Sequence, residues 1–350
     1  MSKVALVTDT HFGARSDSIP FDNFFRKFYE ETFWPTIDKE GIKTIFHLGD
    51  CFDRRKYVNF NTLNSCRDYF FDQARVRDVK IVMIVGNHDT YFKNTNEVNS
   101  PGLLLKDYDN VVAYTGPVDY SVDGHSILLM PWICTDNYNE CMEAMKLSHS
   151  PTMFGHFEIA GFQMYKGHEN DEGFNPKLFD KFDLVCSGHF HHRSSSGNIS
   201  YLGNPYELTW ADYDDPRGFH LFDTATQELE FIENPFHIFT KLYYDDTKDI
   251  GYSAEDFANK HLKLIVVNKT DYYKFDQFVE KIYAANPLEL KIIEDLSEFE
   301  SDSLDEEVDL EDTVTLLSQY VDGLDTDADK NRIKTLMKTL YVEAQNYEEV

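Results

Sequence analysis

The chain has 350 residues, of which 42% are hydrophobic, and its formal net charge at pH 7 is −29. The hydrophobic content is enough for a packed core, which excludes a wholly disordered protein, and at about 150 residues per domain the length predicts two or three domains. An apolar run of about 18 residues, the minimum for a membrane span, does not occur. Five scattered cysteines without a C-x-x-C pair argue against both a disulfide framework and a thiolate zinc site. The chain reaches Asp9 too early for a signal peptide, so we expect a cytoplasmic protein.

Residues 1–235 show the pattern of an α/β domain. Strand-sized apolar runs recur at residues 4–7, 44–48, 80–85, 126–130, 152–154, 184–186, 218–222 and 229–232. The early runs alternate with helix-like stretches at 21–39 and 61–75, whereas the later runs follow one another closely. This order predicts two stacked mixed β-sheets flanked by helices.

The remainder of the chain has a different character. Residues 236–293 alternate strand-like and helix-like stretches and predict a small α+β domain. Residues 294–312 contain 11 acidic residues in 19 and are typical of a solvated linker. Residues 313–350 carry apolar side chains at helical spacing, which predicts two amphipathic helices. These helices either fold back on the body or dock onto another protein.

Polar clusters directly follow five of the apolar runs. They are Asp9-Thr10-His11, Gly49-Asp50-Cys51-Phe52-Asp53, Gly86-Asn87-His88-Asp89, Gly155-His156 and Gly188-His189-Phe190-His191. Each cluster alone could be an ordinary turn, but five successive strand ends with ligand-type side chains indicate a site at the carboxyl edge of the sheets. Carboxylate, imidazole and amide ligands without thiolate suit manganese, magnesium or iron. Two such ions bridged by a carboxylate, beside a histidine that protonates a leaving oxygen, predict phosphoester hydrolysis.

The set D-x-H, G-D-x-x-D, G-N-H-D, G-H and G-H-x-H resembles the calcineurin-like metallophosphoesterases. The flanking segments Met130-Pro131-Trp132 and Asp215-Pro216-Arg217-Gly218-Phe219, with the C-terminal layout, resemble the SbcD-type nucleases of the meiotic-recombination-eleven family. The resemblance implies two divalent metal ions, with Mn²⁺ as the expected ion and Mg²⁺ or Fe²⁺ as alternatives. It assigns the first ion to Asp9, His11 and His191, the second ion to Asn87, His156 and His189, and the bridging position to Asp50. It also implies that His88 protonates the departing sugar oxygen and that Asp89 orients His88.

The same resemblance implies the substrate and the partners. Family members degrade double-stranded DNA as exonucleases, cut single strands as endonucleases, and act with an SbcC-type coiled-coil ATPase in double-strand-break processing and recombination. Residues 236–293 resemble the family's capping domain and residues 313–350 its ATPase-binding segment, and family members form homodimers through helices of the nuclease domain. Asp53 either supports a ligand or is a turn carboxylate, and we leave it out of the ligand set.

Two other functions fit parts of the sequence. The run from Gly49 to Arg54 also resembles Ser/Thr phosphatases, whose arginine contacts phosphate, but those enzymes usually read G-N-H-E where this chain has Asp89. The other alternative is a non-catalytic scaffold that binds the ATPase. Such a scaffold would have no need of the metal-ligand residues and His88, which are all present. The net charge of −29 would repel DNA unless the metal ions and basic residues at the rim offset it. Candidates for that rim are Lys93, Lys166, Lys177 and Arg193.

Overall fold

In a computed structural model of the protein, the described residues are 3–248, 251–294, Lys330 and Lys334. The chain divides into two units, residues 1–298 and residues 299–350. Apart from Glu294, Lys330 and Lys334, the predicted acidic linker and helix pair lie outside the described residues. The account below therefore concerns the first unit.

The first sheet has six strands in the order β14-β13-β1-β2-β3-β4. Its strands are β1 (Lys3–Val7), β2 (Thr44–His47), β3 (Lys80–Ile84), β4 (Val111–Tyr114), β13 (Gly218–Asp223) and β14 (Leu229–Glu233). Strands β1 to β4 are parallel, and β13 and β14 add an antiparallel edge. Since the connections from β1 to β3 run through helices, the parallel strands end at one edge of the sheet.

The second sheet also has six strands, in the order β11-β12-β10-β7-β6-β5. Its strands are β5 (Val118–Val122), β6 (His125–Met130), β7 (Thr152–His156), β10 (Leu184–Gly188), β11 (Ser194–Ser196) and β12 (Ile199–Tyr201). Apolar side chains from both sheets share one buried cluster, in which Leu6 and Phe46 of the first sheet meet Leu129 and Phe154 of the second. The predicted pair of stacked mixed sheets is confirmed.

Helices cover the outer faces of the two sheets. On the first sheet these are Ile19–Phe28, the π-helix Tyr29–Phe33, Trp34–Glu40, Phe60–Cys66, the π-helix Arg67–Phe71, Asp72–Val76 and Ser100–Leu104. Their aromatic side chains build a large buried cluster against that sheet, and helix Tyr138–Leu147 buries Cys141 and Met145 against the second sheet. None of the helices in the described part of the chain combines the length and the apolar character that crossing a membrane requires.

A small α+β module follows β14 in the chain. It contains the parallel strands β15 (Phe239–Asp245), β16 (His261–Asn268) and β17 (Glu289–Ile293), with helix Tyr272–Ala284 between the last two. The module has an apolar cluster of its own. Where the chain enters it, the buried carboxylate of Glu207 accepts hydrogen bonds from the backbone amides of Ile238 at 2.8 Å and Phe239 at 3.0 Å. Short elements complete the fold: the hairpin β8 (Phe162–Tyr165) and β9 (His168–Asn170), and the 3₁₀ turns Pro176–Phe179, Trp210–Asp212 and Ala254–Asp256.

Candidate metal centre

The five polar clusters of the sequence meet where the carboxyl ends of β1, β2, β3, β7 and β10 converge. His156 is the last residue of β7, and His189 directly follows β10. Two groups of side chains offer ligand atoms within 4.8 Å of one another: Asp9 with His11 and His191, and Asp50 with His156 and His189. The structure therefore brings together the side chains that the sequence assigns to the two metal ions.

Glycines make this convergence sterically feasible. A Cβ atom on Gly86 would lie 2.1 Å from Oδ1 of Asp50, and one on Gly188 would lie 2.0 Å from Oγ1 of Thr8. Real Cβ atoms do not approach so closely, so a side chain at either position would displace a loop that carries ligands. Gly86 and Gly188, which each precede a ligand cluster, thus have a packing role.

The backbone of the ligands is itself strained. Asp9, His11, Asp50 and His189 have positive φ angles of 51°, 40°, 54° and 88°. Such angles are uncommon for residues with a side chain and persist where surrounding structure enforces them, as they do at functional sites. Here the amide of Asp9 donates to the carbonyl of Gly49 at 3.0 Å, and the amide of His11 donates to that of Asp50 at 3.1 Å.

The first group consists of Asp9, His11 and His191. The Nε2 atoms of His11 and His191 lie 3.1 Å apart and face each other. The Asp9 carboxylate accepts hydrogen bonds from Oγ1 of Thr8 at 2.7 Å and from the amide of His189 at 3.1 Å. Among the described residues, Nδ1 of His11 has no hydrogen-bond partner although it is buried. Two facing imidazole nitrogens and a buried carboxylate are the donor set that a divalent cation needs.

The second group is built around Asn87. Its Oδ1 atom lies 3.0 Å from Nε2 of His156 and 3.0 Å from Nδ1 of His189. On the other side of the His156 ring, Nδ1 donates to the carbonyl of Leu48 at 2.7 Å, which directs Nε2 toward Asn87. This arrangement is the usual support for a metal-binding histidine, in which a carbonyl fixes the ring and the tautomer.

Asp50 connects the two groups. Its Oδ2 atom lies 3.3 Å from Nε2 of His156 and 3.8 Å from Nε2 of His11, and the carboxylate is buried. Its Oδ1 atom accepts a hydrogen bond from the amide of His88 at 2.8 Å. One carboxylate therefore faces both groups, as a bridging ligand must.

Burial and neighbouring charges tune the protonation of the site. Burial, reinforced by repulsion from neighbouring histidines, lowers the pKa of His11 well below its ordinary value and lowers that of His189 to about 3. Burial and the charge of Arg217 lower the pKa of His191 to about 3. Burial alone would also lower the pKa of His156, but the carboxylates of Asp50 and Asp9 outweigh it and raise that pKa to about 9. Three of the histidines are thus neutral at pH 7 and carry lone pairs for a cation.

The carboxylates respond in opposite directions. Burial and the charge of Asp50 raise the pKa of Asp9 to about 7. Burial would raise the pKa of Asp50 as well, but His156 and His88 lower it well below the ordinary value. The concentration of nitrogen and oxygen donors, with neutral imidazoles beside an ionised Asp50, fits two divalent cations of the manganese, magnesium or iron type.

His88 lies beside the first group. Its Nδ1 atom donates to the backbone carbonyl of Asp53 at 2.6 Å, which fixes the orientation of the ring. Its ring stands edge-on to the ring of His11, with 4.9 Å between the ring centroids. The half-buried His88 can therefore face a substrate without serving as a ligand.

The contacts of Asp89 differ from the expected orienting role. Its Oδ1 atom accepts hydrogen bonds from the amides of Cys51 at 2.9 Å and Phe52 at 3.3 Å, and its Oδ2 atom accepts from the amide of Gly86 at 2.9 Å. The fully buried carboxylate thus ties the loop after β2 to the loop after β3. The ring of His88 is held by the carbonyl of Asp53, a backbone group that no sequence motif indicates.

The structure shows the contacts of three residues whose roles the sequence left open. Cys51 is fully buried, and burial raises the pKa of its thiol well above the ordinary value, as expected of a packed thiol. The Asp53 carboxylate lies 3.6 Å from Nδ1 of His11, near the first group. Arg54, the residue that suggested a phosphatase, pairs with Asp17 at 3.4 Å and contacts Tyr57.

Sequence reasoning gave Arg217 no role, yet it supports the loop that carries His191. The buried guanidinium donates to the backbone carbonyl of His191 and to the side chain of Asn204. It also pairs with Asp212 at 2.8 Å and Asp215 at 2.7 Å. The only sequence signal was its place in the 215–219 segment, which was noted for the resemblance alone.

Comparisons with known proteins identify the family of the chain. Residues 2–193 match the calcineurin-like phosphoesterase family, and the chain belongs to that family. It is 33% identical to a protein of Enterobacteria phage T4 named "Exonuclease subunit 1", over 98% of this chain and 99% of the phage protein. Among solved structures, it is similar to an archaeal phosphodiesterase (14% identity, 66% of this chain and 99% of the other, TM-score 0.33). It is also similar to the nuclease MPE of Pseudomonas putida (15% identity, 64% and 86%, TM-score 0.29).

Proposed function

We propose that this protein is the nuclease subunit of a DNA-processing complex, a two-metal exonuclease that also cuts single strands. The observation that carries the proposal is the Asp50 carboxylate, which faces His156 at 3.3 Å and His11 at 3.8 Å and so connects the two groups of candidate ligands. The 33% sequence identity to an exonuclease subunit, which extends over 98% of this chain, supports DNA rather than a phosphomonoester as the substrate.

Each side chain has a defined task in this proposal. Asp9, His11 and His191 would hold one cation, and Asn87, His156 and His189 the other, with Asp50 shared. When bound, the cations supply a water of lowered pKa and a positive field for the phosphate. His88 donates a proton from Nε2 to the departing sugar oxygen, and its bond to the carbonyl of Asp53 keeps the ring in place. Mn²⁺ is the proposed working ion.

The proposal extends to domains and partners. Residues 1–235 form the nuclease domain, residues 236–293 cap the DNA path, and residues 313–350 bind an SbcC-type ATPase beyond the 294–312 linker. The active form contains two copies of the chain and acts in the host cytoplasm during break processing and recombination. Deleting residues 313–350 should abolish capture of the ATPase while leaving metal-dependent cleavage measurable, and retention of the ATPase by the truncated chain would refute the assignment.

The first test is cleavage of end-labelled duplex DNA by the purified full chain with Mn²⁺. Parallel reactions contain single-stranded circular DNA, p-nitrophenyl phosphate, or excess chelator. We expect metal-dependent loss of label from the duplex, cutting of the circle, and little turnover of the monoester. Rapid monoester turnover without DNA cleavage would identify a phosphatase instead, and normal ATPase binding without bound metal would identify a scaffold.

A further inference from the structure

A groove lies next to the second ligand group. It has a volume of about 530 Å³, which is within the usual range for small-molecule sites, and Lys93, Trp132, Tyr138 and Phe174 are among the residues that line it. Three of these four side chains are aromatic, and the fourth is an exposed cation. None of them belongs to the proposed ligand set.

Trp132 connects the groove to the proposed metal centre. Its ring centroid lies 5.2 Å from that of His189 and 6.0 Å from that of His156. Its backbone is fixed on both sides: the amide donates to the carbonyl of Val85 at 2.8 Å, and the carbonyl accepts from the side chains of Asn96 at 2.8 Å and Asn137 at 3.0 Å. The ring is therefore held beside the ligands before any substrate binds.

The other walls are anchored to segments that carry ligands. The amide of Phe174 donates to the carbonyl of Glu158 at 2.8 Å, and the amide of Ala160 donates to the carbonyl of Phe174 at 3.1 Å, so Phe174 pairs with the segment that follows His156. Lys93 lies in the loop that begins with the Asn87 and His88 motif. The groove is thus an extension of the same strand ends.

Tyr138 forms part of the wall at the first residue of helix Tyr138–Leu147. The residue is 48% exposed, so its ring is accessible from the solvent. The loop before this helix is tied to the loop of Lys93, because the amide of Asp136 donates to the carbonyl of Asn94 at 3.0 Å. The tyrosine therefore presents an accessible aromatic face on a supported framework.

We propose that this groove binds the base of the nucleotide adjacent to the phosphate that is hydrolysed, an inference that rests on the proposed nuclease function. Aromatic faces stack on any of the four bases, and Lys93 supplies positive charge for a flanking phosphate. A base can enter such a groove only after it leaves the duplex stack. The groove therefore selects frayed ends and single strands without selecting a sequence.

Two model diesters separate binding of the base from hydrolysis of the phosphate. Thymidine 5′-(p-nitrophenyl phosphate) carries a base, whereas bis(p-nitrophenyl) phosphate carries none. We expect Tyr138→Ala to lower the ratio of kcat/KM for the thymidine ester to kcat/KM for the base-free ester by about tenfold, mainly through KM. The control Tyr283→Ala removes a tyrosine that is 60% exposed on helix Tyr272–Ala284 and should leave the ratio unchanged.

A binding experiment without turnover provides a second readout. Addition of dTMP to the full chain in Mg²⁺ should quench tryptophan fluorescence, and Trp132→Phe should remove most of this quenching. Of the other two tryptophans, Trp34 is buried beneath the first sheet and Trp210 packs against Phe239 of the small α+β module, with 4.8 Å between the ring centroids. Unchanged quenching in Trp132→Phe, or an unchanged ratio of the two diesters in Tyr138→Ala, would overturn the base site while hydrolysis of both esters still supports the nuclease. Failure of the wild-type chain to hydrolyse either diester would instead overturn the proposed function and the base site with it.

Discussion

The Oδ2 atom of Asp50 lies 3.3 Å from Nε2 of His156, and both side chains are buried at the junction of the two sheets. Each residue shifts the pKa of the other: His156 lowers the pKa of Asp50, and Asp50 raises the pKa of His156. In the absence of a cation, a proton on His156 therefore balances the charge of Asp50. A bound cation would take the place of that proton, so the pair links metal binding to pH.

Replacing the shared carboxylate tests the bridge. Asp50→Asn keeps the shape of the side chain but removes the charge that faces both ligand groups, so we expect metal content to fall in both sites rather than in one. Metal analysis of the purified protein, with equilibrium dialysis against Mn²⁺, measures the occupancy. Asp38→Asn is the control, because Asp38 is an exposed carboxylate paired with Arg77. Retention of one full equivalent of tightly bound metal in Asp50→Asn would show that the carboxylate is not shared.

The affinity for Mn²⁺ should rise with pH. The pKa of His156 is raised to about 9 and that of Asp9 to about 7, so both groups carry protons in most of the metal-free population at pH 6. Ligands must lose their protons to bind a cation, so these raised pKa values weaken metal binding below about pH 7. Binding becomes stronger as the pH rises toward 9 and the two groups lose their protons. Calorimetric titrations in buffers of different ionisation enthalpy should report release of about one to two protons at pH 6.5. Proton uptake, or an affinity that falls between pH 6 and pH 8, would contradict the assigned ligands.

Much of the fold was predictable because the buried strands are continuous apolar runs. The runs at 44–48 and 80–85 became β2 and β3, since strands that are buried on both faces leave a strong signal in the sequence. Strands β4 and β5 were missed because each lies at the edge of a sheet, where burial is only partial. The predicted helix at 21–39 contains a π-helical segment at Tyr29–Phe33, which the spacing of apolar residues does not reveal.

The family resemblance supplied the assignment of ligands to two ions, and the meeting of these residues was predictable because they directly follow strands whose carboxyl ends converge. The supporting contacts were not, since they join positions that are distant in the sequence. The bond from His156 to the carbonyl of Leu48 spans 108 positions, and that from Arg217 to the carbonyl of His191 spans 26. Asp89 shows the same limit: the family resemblance implied a role in orienting His88, whereas its hydrogen bonds reach the amides of Cys51 and Phe52.

Removing the proposed proton donor should separate catalysis from metal binding. His88→Asn deletes an imidazole that is not in the ligand set, so we expect near-normal metal content and a loss of about 10²- to 10⁴-fold in DNA hydrolysis. The loss should be smaller for an ester whose leaving group is p-nitrophenolate, because that group departs without a proton. His149→Asn, at an exposed histidine, is the matched control and should leave both rates unchanged. Loss of the metals in His88→Asn would refute the role of proton donor.

The buried Arg217 should affect both stability and the first ligand group. Arg217→Met removes the guanidinium from the buried carboxylates of Asp212 and Asp215, of which Asp215 keeps its contact with Nδ1 of His192 at 2.8 Å. Breaking such a buried pair costs about 3–5 kcal/mol of unfolding free energy. Arg77→Met is the control, since its pair with Asp38 lies near the surface and should contribute about 1 kcal/mol or less.

Urea denaturation of the metal-free proteins measures the cost of Arg217→Met separately from its effect on the site. The guanidinium also holds the carbonyl of His191. The folded variant should therefore bind Mn²⁺ more weakly than wild type, even without urea and at a temperature well below its unfolding midpoint. Arg217→Lys can keep one charge near the two carboxylates but cannot reproduce the forked contacts, and it should recover stability more completely than it recovers metal affinity. If stability and affinity recover in parallel, Arg217 acts through the fold alone. If affinity stays low in a stable Arg217→Lys chain, the contact with His191 positions the ligand.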